Sequence, residues 1–231
     1  RCSMEYLTAY LGGESGYFCT VCGYCRKENF PIVYPSQRIQ SAATYFLDEG
    51  FLPYIEKCNA ENHLIHEAGW SLSYHGWSNV GKLVRASKYE NAGPFALSLA
   101  KRAVELVKTR YPLHTINGIV SIPPTKSGLL VEMFARRVAN LLNLEYLPLL
   151  TKVRSTQEQK KLTNRAQKTE NVKGAFSVSN APYIKGRVLL LIDDIYDSGC
   201  MLREASETLM KAGVKAVYPL TITRTLHSDN R

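Results

Sequence analysis

Residues 188–200 read Val188-Leu189-Leu190-Leu191-Ile192-Asp193-Asp194-Ile195-Tyr196-Asp197-Ser198-Gly199-Cys200. Five consecutive apolar residues make a strand-sized run of the kind that is buried on both faces. Two adjacent acids sit at its carboxyl end. Four residues later a Ser-Gly pair opens a helix. Backbone N–H groups of such a turn, with the helix dipole behind them, form an anion site. Carboxylates accept hydrogen bonds from hydroxyls, so acids beside an anion site suit a phosphorylated sugar. A buried Asp-Asp pair has little structural use otherwise, because an unpaired buried charge is costly.

Strands and helices alternate around this run. Pro94 to Thr109 predicts a helix with Leu97, Ala100, Ala103, Val104 and Val107 along one face. Ile116 to Ile122 predicts a short strand ending in Pro123-Pro124, and Leu130 to Leu142 an amphipathic helix. Tyr146 to Leu150 reads as a second strand, Lys152 to Lys173 as a long polar stretch, and Phe176 to Val178 as a further strand. Met201 to Ala212 predicts a helix closed by Gly213, and Ala216 to Ile222 the last strand. The pattern predicts an α/β fold, a Rossmann-like, mostly parallel sheet flanked by helices. Ligands of such sheets bind beyond the carboxyl ends of the strands.

The first 80 residues are less regular. Ser36 is placed to cap a helix through Phe46 or Leu47. Cys58, His63 and His66 have a faint metal spacing, but histidines of this kind are more often ordinary polar residues. Trp70 and Trp77 suit either packing of a small module onto the larger domain or an ordinary aromatic core.

A length of 231 residues suits one large domain, or one domain with a small module. No stretch approaches twenty uncharged apolar residues, which excludes a transmembrane helix. Arg1-Cys2-Ser3 has no secretory pattern, and an opening of this kind is expected where a chain is cut from something longer. A cytoplasmic setting follows as the expectation. The net charge is +9, and residues 1–80 hold five basic against eight acidic side chains, so the excess lies downstream. A basic half suits a polyanionic partner, either nucleic acid or a phosphorylated small molecule, or simply a solubilising surface.

Four of the six cysteines, Cys2, Cys19, Cys22 and Cys25, crowd the first 25 residues. Three-residue steps let thiolates converge on one tetrahedral ion, and so many near neighbours have few unstrained disulfide pairings. In a reducing compartment such a cluster points to structural zinc. Met4, Leu7, Tyr10 and Leu11 recur at helical spacing and Gly12-Gly13 ends that helix. The stretch RCSMEYLTAYLGGESGYFCTVCGYC resembles the zinc-binding subdomain of RecQ-family DNA helicases, in which one Cys begins a helix and a Cys-x2-Cys-x2-Cys group closes the site. The resemblance covers roughly the first 30 residues. It implies DNA as a partner through a parent helicase. No Gly-rich Lys-Ser/Thr phosphate loop is present, so this chain is not the motor itself.

The run at 188–201 resembles the phosphoribosyl pyrophosphate motif of type I phosphoribosyltransferases. The resemblance implies that Asp193 and Asp194 bind ribose hydroxyls, directly or through waters on Mg²⁺. It implies that Ser198, Gly199, Cys200 and Met201 hold the 5′-phosphate, and that Asp197 stands where purine-specific members carry a general base. Met201 departs from the family pattern, which has a Thr there and so a further hydroxyl donor.

The family also has a pyrophosphate loop, for which Pro124, Thr125, Lys126 and Ser127 are the candidates; a plain strand–helix turn is the alternative. Its mobile basic lid would fall in the polar stretch, with Lys160, Lys161 and Arg165, where a solvated loop is the alternative. Gln159, Leu162, Arg165, Asn171, Ala175 and Phe176 follow the order of the ComF-type branch of these transferases. ComF-like domains occur fused behind RecQ-type helicases, which accounts for both resemblances in one chain. The expected organisation is a zinc-binding helical module at 1–30, a connection at 31–80, a ComF-like phosphoribosyltransferase domain at 81–226 and a tail at 227–231. Two functions fit: an enzyme that transfers phosphoribose, or a DNA- or nucleotide-binding module without turnover.

Overall fold

The computed structural model describes residues 2–11, 16, 18–27, 35–46, 52–76, 78–90, 93–123, 129–156 and 164–226. The chain divides into two compact units, Arg1–Ala42 and Ala43–Arg231. In the first unit, α1 (Ser3–Tyr10) follows Cys2 and α2 (Gly23–Arg26) follows Cys22, so each helix starts directly after a cysteine held in extended backbone. Met4, Leu7 and Leu11 keep the helical spacing read from the sequence, yet all three are exposed. A further helix, α3 (Gln37–Tyr45), crosses the division, and Ser36 Oγ accepts from the Ile39 N–H at its start.

The second unit is built on a five-stranded sheet in the order β1-β4-β9-β8-β5. Its strands are β1 (Tyr54–Ile55), β4 (Gly69–Tyr74), β5 (Gly118–Ser121), β8 (Val188–Tyr196) and β9 (Ala216–Arg224). β4, β9, β8 and β5 run parallel, and β1 is antiparallel at the edge. The mostly parallel α/β sheet expected from the sequence is therefore present. It starts earlier than residue 81, however. The stretch read as a connection supplies β1, β4 and the small antiparallel ribbon of β2 (Cys58–Asn59) and β3 (Leu64–His66). In Gly69-Trp70-Ser71-Leu72-Ser73-Tyr74 the apolar residues alternate with serines at the period of a strand, a signal that the expected boundary at 81 leaves out, and the stretch docks parallel on β9 with its serines buried.

β8 lies between β9 and β5, and the run 188–192 is buried throughout. Period-2 alternation divides it between two cores. Leu190 and Ile192 join α4 (Asn79–Arg85), α5 (Leu97–Arg110) and α6 (Leu130–Leu142) on one side. Leu189 and Leu191 join α8 (Ala181–Ile184) and α9 (Cys200–Lys211) on the other. α6 has the predicted bounds and buries Val131, Phe134, Ala135, Val138 and Ala139. α5 buries its predicted face except Leu97, which lies exposed in the first turn, before the helix meets the sheet.

The polar stretch is more structured than its composition suggests. Tyr146 makes only a single bridge to Ile119, and the predicted strand at 146–150 is displaced to β6 (Leu150–Lys152). β6 pairs antiparallel with β7 (Phe176–Val178), and α7 (Arg165–Val172) lies between them. Asn164 Oδ1 caps α7 through the Gln167 N–H, and Arg154 binds the carbonyls of Asn171 and Lys173 at its far end. Arg165, Ala166, Gln167, Lys168 and Glu170 are good helix formers, but eight residues are too few to hold a helix alone; the caps and the docking of α7 on α9 stabilise it.

Pro219 stands inside β9, a central strand, where a missing N–H breaks the ladder. Tyr111 fills that gap. Its hydroxyl accepts from the Trp70 N–H at 2.9 Å and donates to the Pro219 carbonyl at 2.7 Å. Burial pushes the phenol pKa well up, so it stays neutral and can do both. Tyr111→Phe strands two buried backbone groups. It is expected to cost about 2–4 kcal/mol, measured as a lowered midpoint in urea at unchanged slope.

Candidate functional site

The two acids lie within β8, not after it, because the strand continues to Tyr196. Asp194 is 8% exposed and Asp193 is half-buried. Asp193 Oδ1 accepts the Asp194 N–H at 2.8 Å. Burial, and next the neighbouring Asp194 charge, push the Asp193 carboxyl well above the ordinary range. The acids have different neighbours. Asp194 Oδ2 accepts from Lys88 Nζ at 2.6 Å, and its backbone carbonyl accepts from Thr223 Oγ1. Asp193 lies within electrostatic reach of Lys152 at the end of β6. Burial and the nearby Arg154 charge lower the Lys152 pKa, and Asp193 opposes them.

The turn after β8 has the form that the sequence reading requires. Gly199 has φ +77 and starts α9 with no side-chain cap, so the first N–H groups of that helix face outward from the turn. A Cβ at Gly199 would lie 2.6 Å from the Tyr196 hydroxyl, so a side chain there would have to displace that ring and would also strain the backbone at φ +77. α9 begins at Cys200, one residue earlier than predicted. Ser198 and Gly199 are half-buried, and Cys200 is buried with its Sγ 3.4 Å from Thr169 Oγ1. Met201 is partly buried at the position of the lost hydroxyl.

Asp197 is held at both oxygens. Thr225 Oγ1 donates to Oδ1 at 3.0 Å and Lys168 Nζ to Oδ2 at 2.8 Å. Lys168 belongs to α7, so the segment named as a lid is latched at its carboxyl end to the turn 197–201. Gly174 N–H to Glu204 Oε1 at 2.7 Å is a second latch. A cavity of about 300 Å³, lined by residues 152–156, borders the start of the same segment.

Pro124, Thr125, Lys126 and Ser127 lie outside the described residues, as do Lys160 and Lys161. Arg165 is described only as the first residue of α7. The structure thus brings together β8, the turn 197–201 and α7. Lys88 and Thr225 were not singled out from the sequence. Neither belongs to a motif, and only the sheet order carries them to β8.

Cys2, Cys19, Cys22 and Cys25 gather in the first unit with all four Sγ atoms within 4.8 Å of one another. Four sulfurs about 2.3 Å from one ion would lie about 3.8 Å apart, and Cys22 Sγ to Cys2 Sγ is 3.9 Å. The Cys19 N–H donates to Cys2 Sγ and the Cys22 N–H to Cys19 Sγ, the orientation thiolates favour. Backbone N–H groups of Cys25 and Ser3 push the Cys22 thiol down to about 6. Burial, and then hydrogen bonds with Cys2 and Cys22, push Cys25 up to about 12. A divalent ion is what would let all four ionise together. No other cluster of metal-ligating groups occurs among the described residues. His66 is instead a buried polar residue whose Nδ1 meets the Glu67 carbonyl, and burial lowers its pKa. Trp70 packs edge-on against Tyr54 and Tyr111, so it is a core aromatic. Trp77 lies outside the described residues.

No helix among the described residues is long and apolar enough to cross a membrane. No curated protein matches the chain. Among solved structures it is similar to glutamine phosphoribosylpyrophosphate amidotransferase from B. subtilis, at 16% identity and a TM-score of 0.41, covering 60% of this chain and 30% of that one. It is similar to adenine phosphoribosyltransferase from Saccharomyces cerevisiae, at 13% identity and a TM-score of 0.40, covering 80% and 89%. It is also similar to UMP synthase from Leishmania donovani, at 18% identity and a TM-score of 0.34, covering 85% and 33%. The chain spans about 30% of the length of the first of these, and at such scores the likenesses are remote. Acids on β8, an uncapped glycine turn beside them and a docked basic helix all fall between residues 87 and 228, which match the phosphoribosyl transferase domain family, and the chain belongs to that family.

Proposed function

We propose that the second unit binds phosphoribosyl pyrophosphate at the end of β8 and transfers its phosphoribose to an acceptor. The observation that carries this is the pairing of a half-buried Asp193 with the uncapped glycine turn that starts α9. The ribose hydroxyls would donate to Asp193. Ser198 and the N–H groups of 198–201 would hold the 5′-phosphate. The acceptor would attack the anomeric carbon as the pyrophosphate bond breaks, through an oxocarbenium-like transition state. Lys126, Lys160, Lys161 and Arg165 would stabilise the departing charge. Asp193 beside the turn suits Mg²⁺ held through water, and such an ion would supply countercharge for the leaving pyrophosphate. Thr225 and Lys168 each take one lone pair of Asp197, one on each oxygen, which leaves further lone pairs with which it would take a proton from the acceptor.

The first unit, on this reading, is a structural zinc module of the RecQ type, and the whole is a ComF-like domain fused behind a DNA helicase. The four-sulfur geometry supports zinc. The exposed apolar residues of α1 support packing against a further domain of the parent.

A second reading is favoured by Met201 and by the latched Asp197: a module that binds a phosphorylated ligand or DNA without turnover. Calorimetric titration of phosphoribosyl pyrophosphate with Mg²⁺ separates the two from failure. Micromolar binding, lost by at least about a hundredfold in Asp193→Asn/Asp194→Asn, is expected; two charge-assisted contacts of this kind are worth about 3 kcal/mol or more. Release of pyrophosphate with an acceptor base would establish transfer. Absence of binding, with DNA affinity that falls steeply as salt rises, would put the second reading in its place.

A further inference from the structure

Lys88 lies in the π-helical turn Ala86–Glu90, which continues α4 without a break. Turns of this kind are rare and recur at functional positions. Its Nζ is 2.6 Å from Asp194 Oδ2, and the two side chains are 13% and 11% exposed. Burial alone would lower the Lys88 pKa, yet the Asp194 carboxylate outweighs it and the ammonium ends above its ordinary value. The other charges felt at the pair are the adjacent Asp193 carboxyl, which also draws on the Lys88 ammonium, and Arg85, which is felt at the neighbouring His75. Thr223 Oγ1 meets the Asp194 carbonyl and lies 3.3 Å from His75 Nδ1. Burial, and then the Lys88 charge, keep His75 neutral.

Lys88 holds only Oδ2 of Asp194, but an ammonium on one oxygen of a buried carboxylate weakens a divalent ion's hold on the other, because at about 4 Å their repulsion is about 2 kcal/mol even at the dielectric of water and larger where water is excluded. We propose that Lys88 is the resident counter-ion of the acid pair: it takes on Asp194 the place a divalent cation would occupy, and leaves Asp193 as the carboxyl that meets the sugar. The role of Asp193 rests on the sugar-phosphate reading above; the exclusion of metal from Asp194 does not.

The test is Mn²⁺ titration into the full chain, followed by water-proton relaxation. Mn²⁺ is a hard cation that reads carboxylates and not thiolates. The wild type is expected to bind no more tightly than about 1 mM, the range of weak carboxylate sites. Lys88→Met is expected to bind at least about tenfold more tightly, because one adjacent positive charge is gone. Adding Asp194→Asn should abolish that gain. Lys88→Met leaves a buried carboxylate without its partner, so its thermal melt is recorded with and without Mn²⁺; if the variant unfolds, Mn²⁺ should restore the melt. Affinity within twofold of wild type, or a melt that Mn²⁺ does not restore, overturns the proposal. So does a wild type that binds below about 0.1 mM and loses the ion in Asp194→Asn. Titration of phosphoribosyl pyrophosphate into the wild type is read separately: its failure removes the sugar reading and leaves the Mn²⁺ result to judge Lys88.

Discussion

One zinc ion per chain is expected by native mass spectrometry, and Cys22→Ser is expected to lose it together with the fold of residues 1–42. The first unit has little else to stabilise it. Cys2 is buried, while Met4, Leu7, Phe18, Val21 and Tyr24 are exposed. Units below about 40 residues rarely bury enough surface to fold unaided. Structural zinc in small domains supplies about 10–16 kcal/mol, and that energy is folding energy. Cys22 is the informative position because its backbone starts α2 and its sulfur lies 3.9 Å from that of Cys2. Chelation should give the same outcome as the substitution: new proteolytic cuts within 1–42. A chain that stays fully protected there without metal would end the zinc assignment.

Gly69→Ala is expected to be the most destabilising single methyl in the second unit. Gly69 begins β4 beside Pro219, and a Cβ there would lie 1.9 Å from the Pro219 carbonyl oxygen. Gly69 has no positive φ, so the requirement is space and not conformation. The neighbour is backbone in a central strand, with Tyr111 bonded to the same oxygen, so nothing nearby can give way. A cost of about 4 kcal/mol follows, above the roughly 1–3 kcal/mol usual for overfilling a core, because the atom struck is backbone and not a side chain. In a domain of this length that is a fall in melting temperature of about 10 °C or more. Gly174→Ala is the control. It has φ +65 and open space around it, so it should lose only about 1 kcal/mol through backbone strain. Equal melting temperatures for the two variants would show that β4 does not approach β9 as closely as described.

The parts of the fold legible in the sequence are those set by local rules. Val188 to Ile192 is apolar on both faces, and a strand covered on both faces has no alternation to hide. α6 shows its period of 3.6, and Gly213 closes α9 with φ +92 where a left-handed residue is needed. The cysteine cluster was legible because zinc geometry constrains spacing directly. In β4 the alternation of Trp70, Leu72 and Tyr74 with serines marks a strand, but not that the serine face is buried: Ser71 lies inside because Thr221 across the ladder satisfies its hydroxyl at 2.6 Å. α7 was hidden by a run of amides and charges whose helix depends on Asn164 and Arg154 at its ends.

The candidate site divides in the same way. Strand, acids, glycine turn and helix follow one another within fourteen residues, so their order alone pointed to a candidate anion site beside carboxyls that can accept from hydroxyls. The electrostatic state of those acids was decided only by the tertiary structure. Lys88 is 106 positions from Asp194 and Lys168 is 29 from Asp197. Sequence can say that a buried acid requires a cation, because desolvation makes an unpaired one too costly. It cannot say which lysine answers, because that depends on which helix ends over the carboxyl end of β8 once β4, β9 and β5 have taken their places around it.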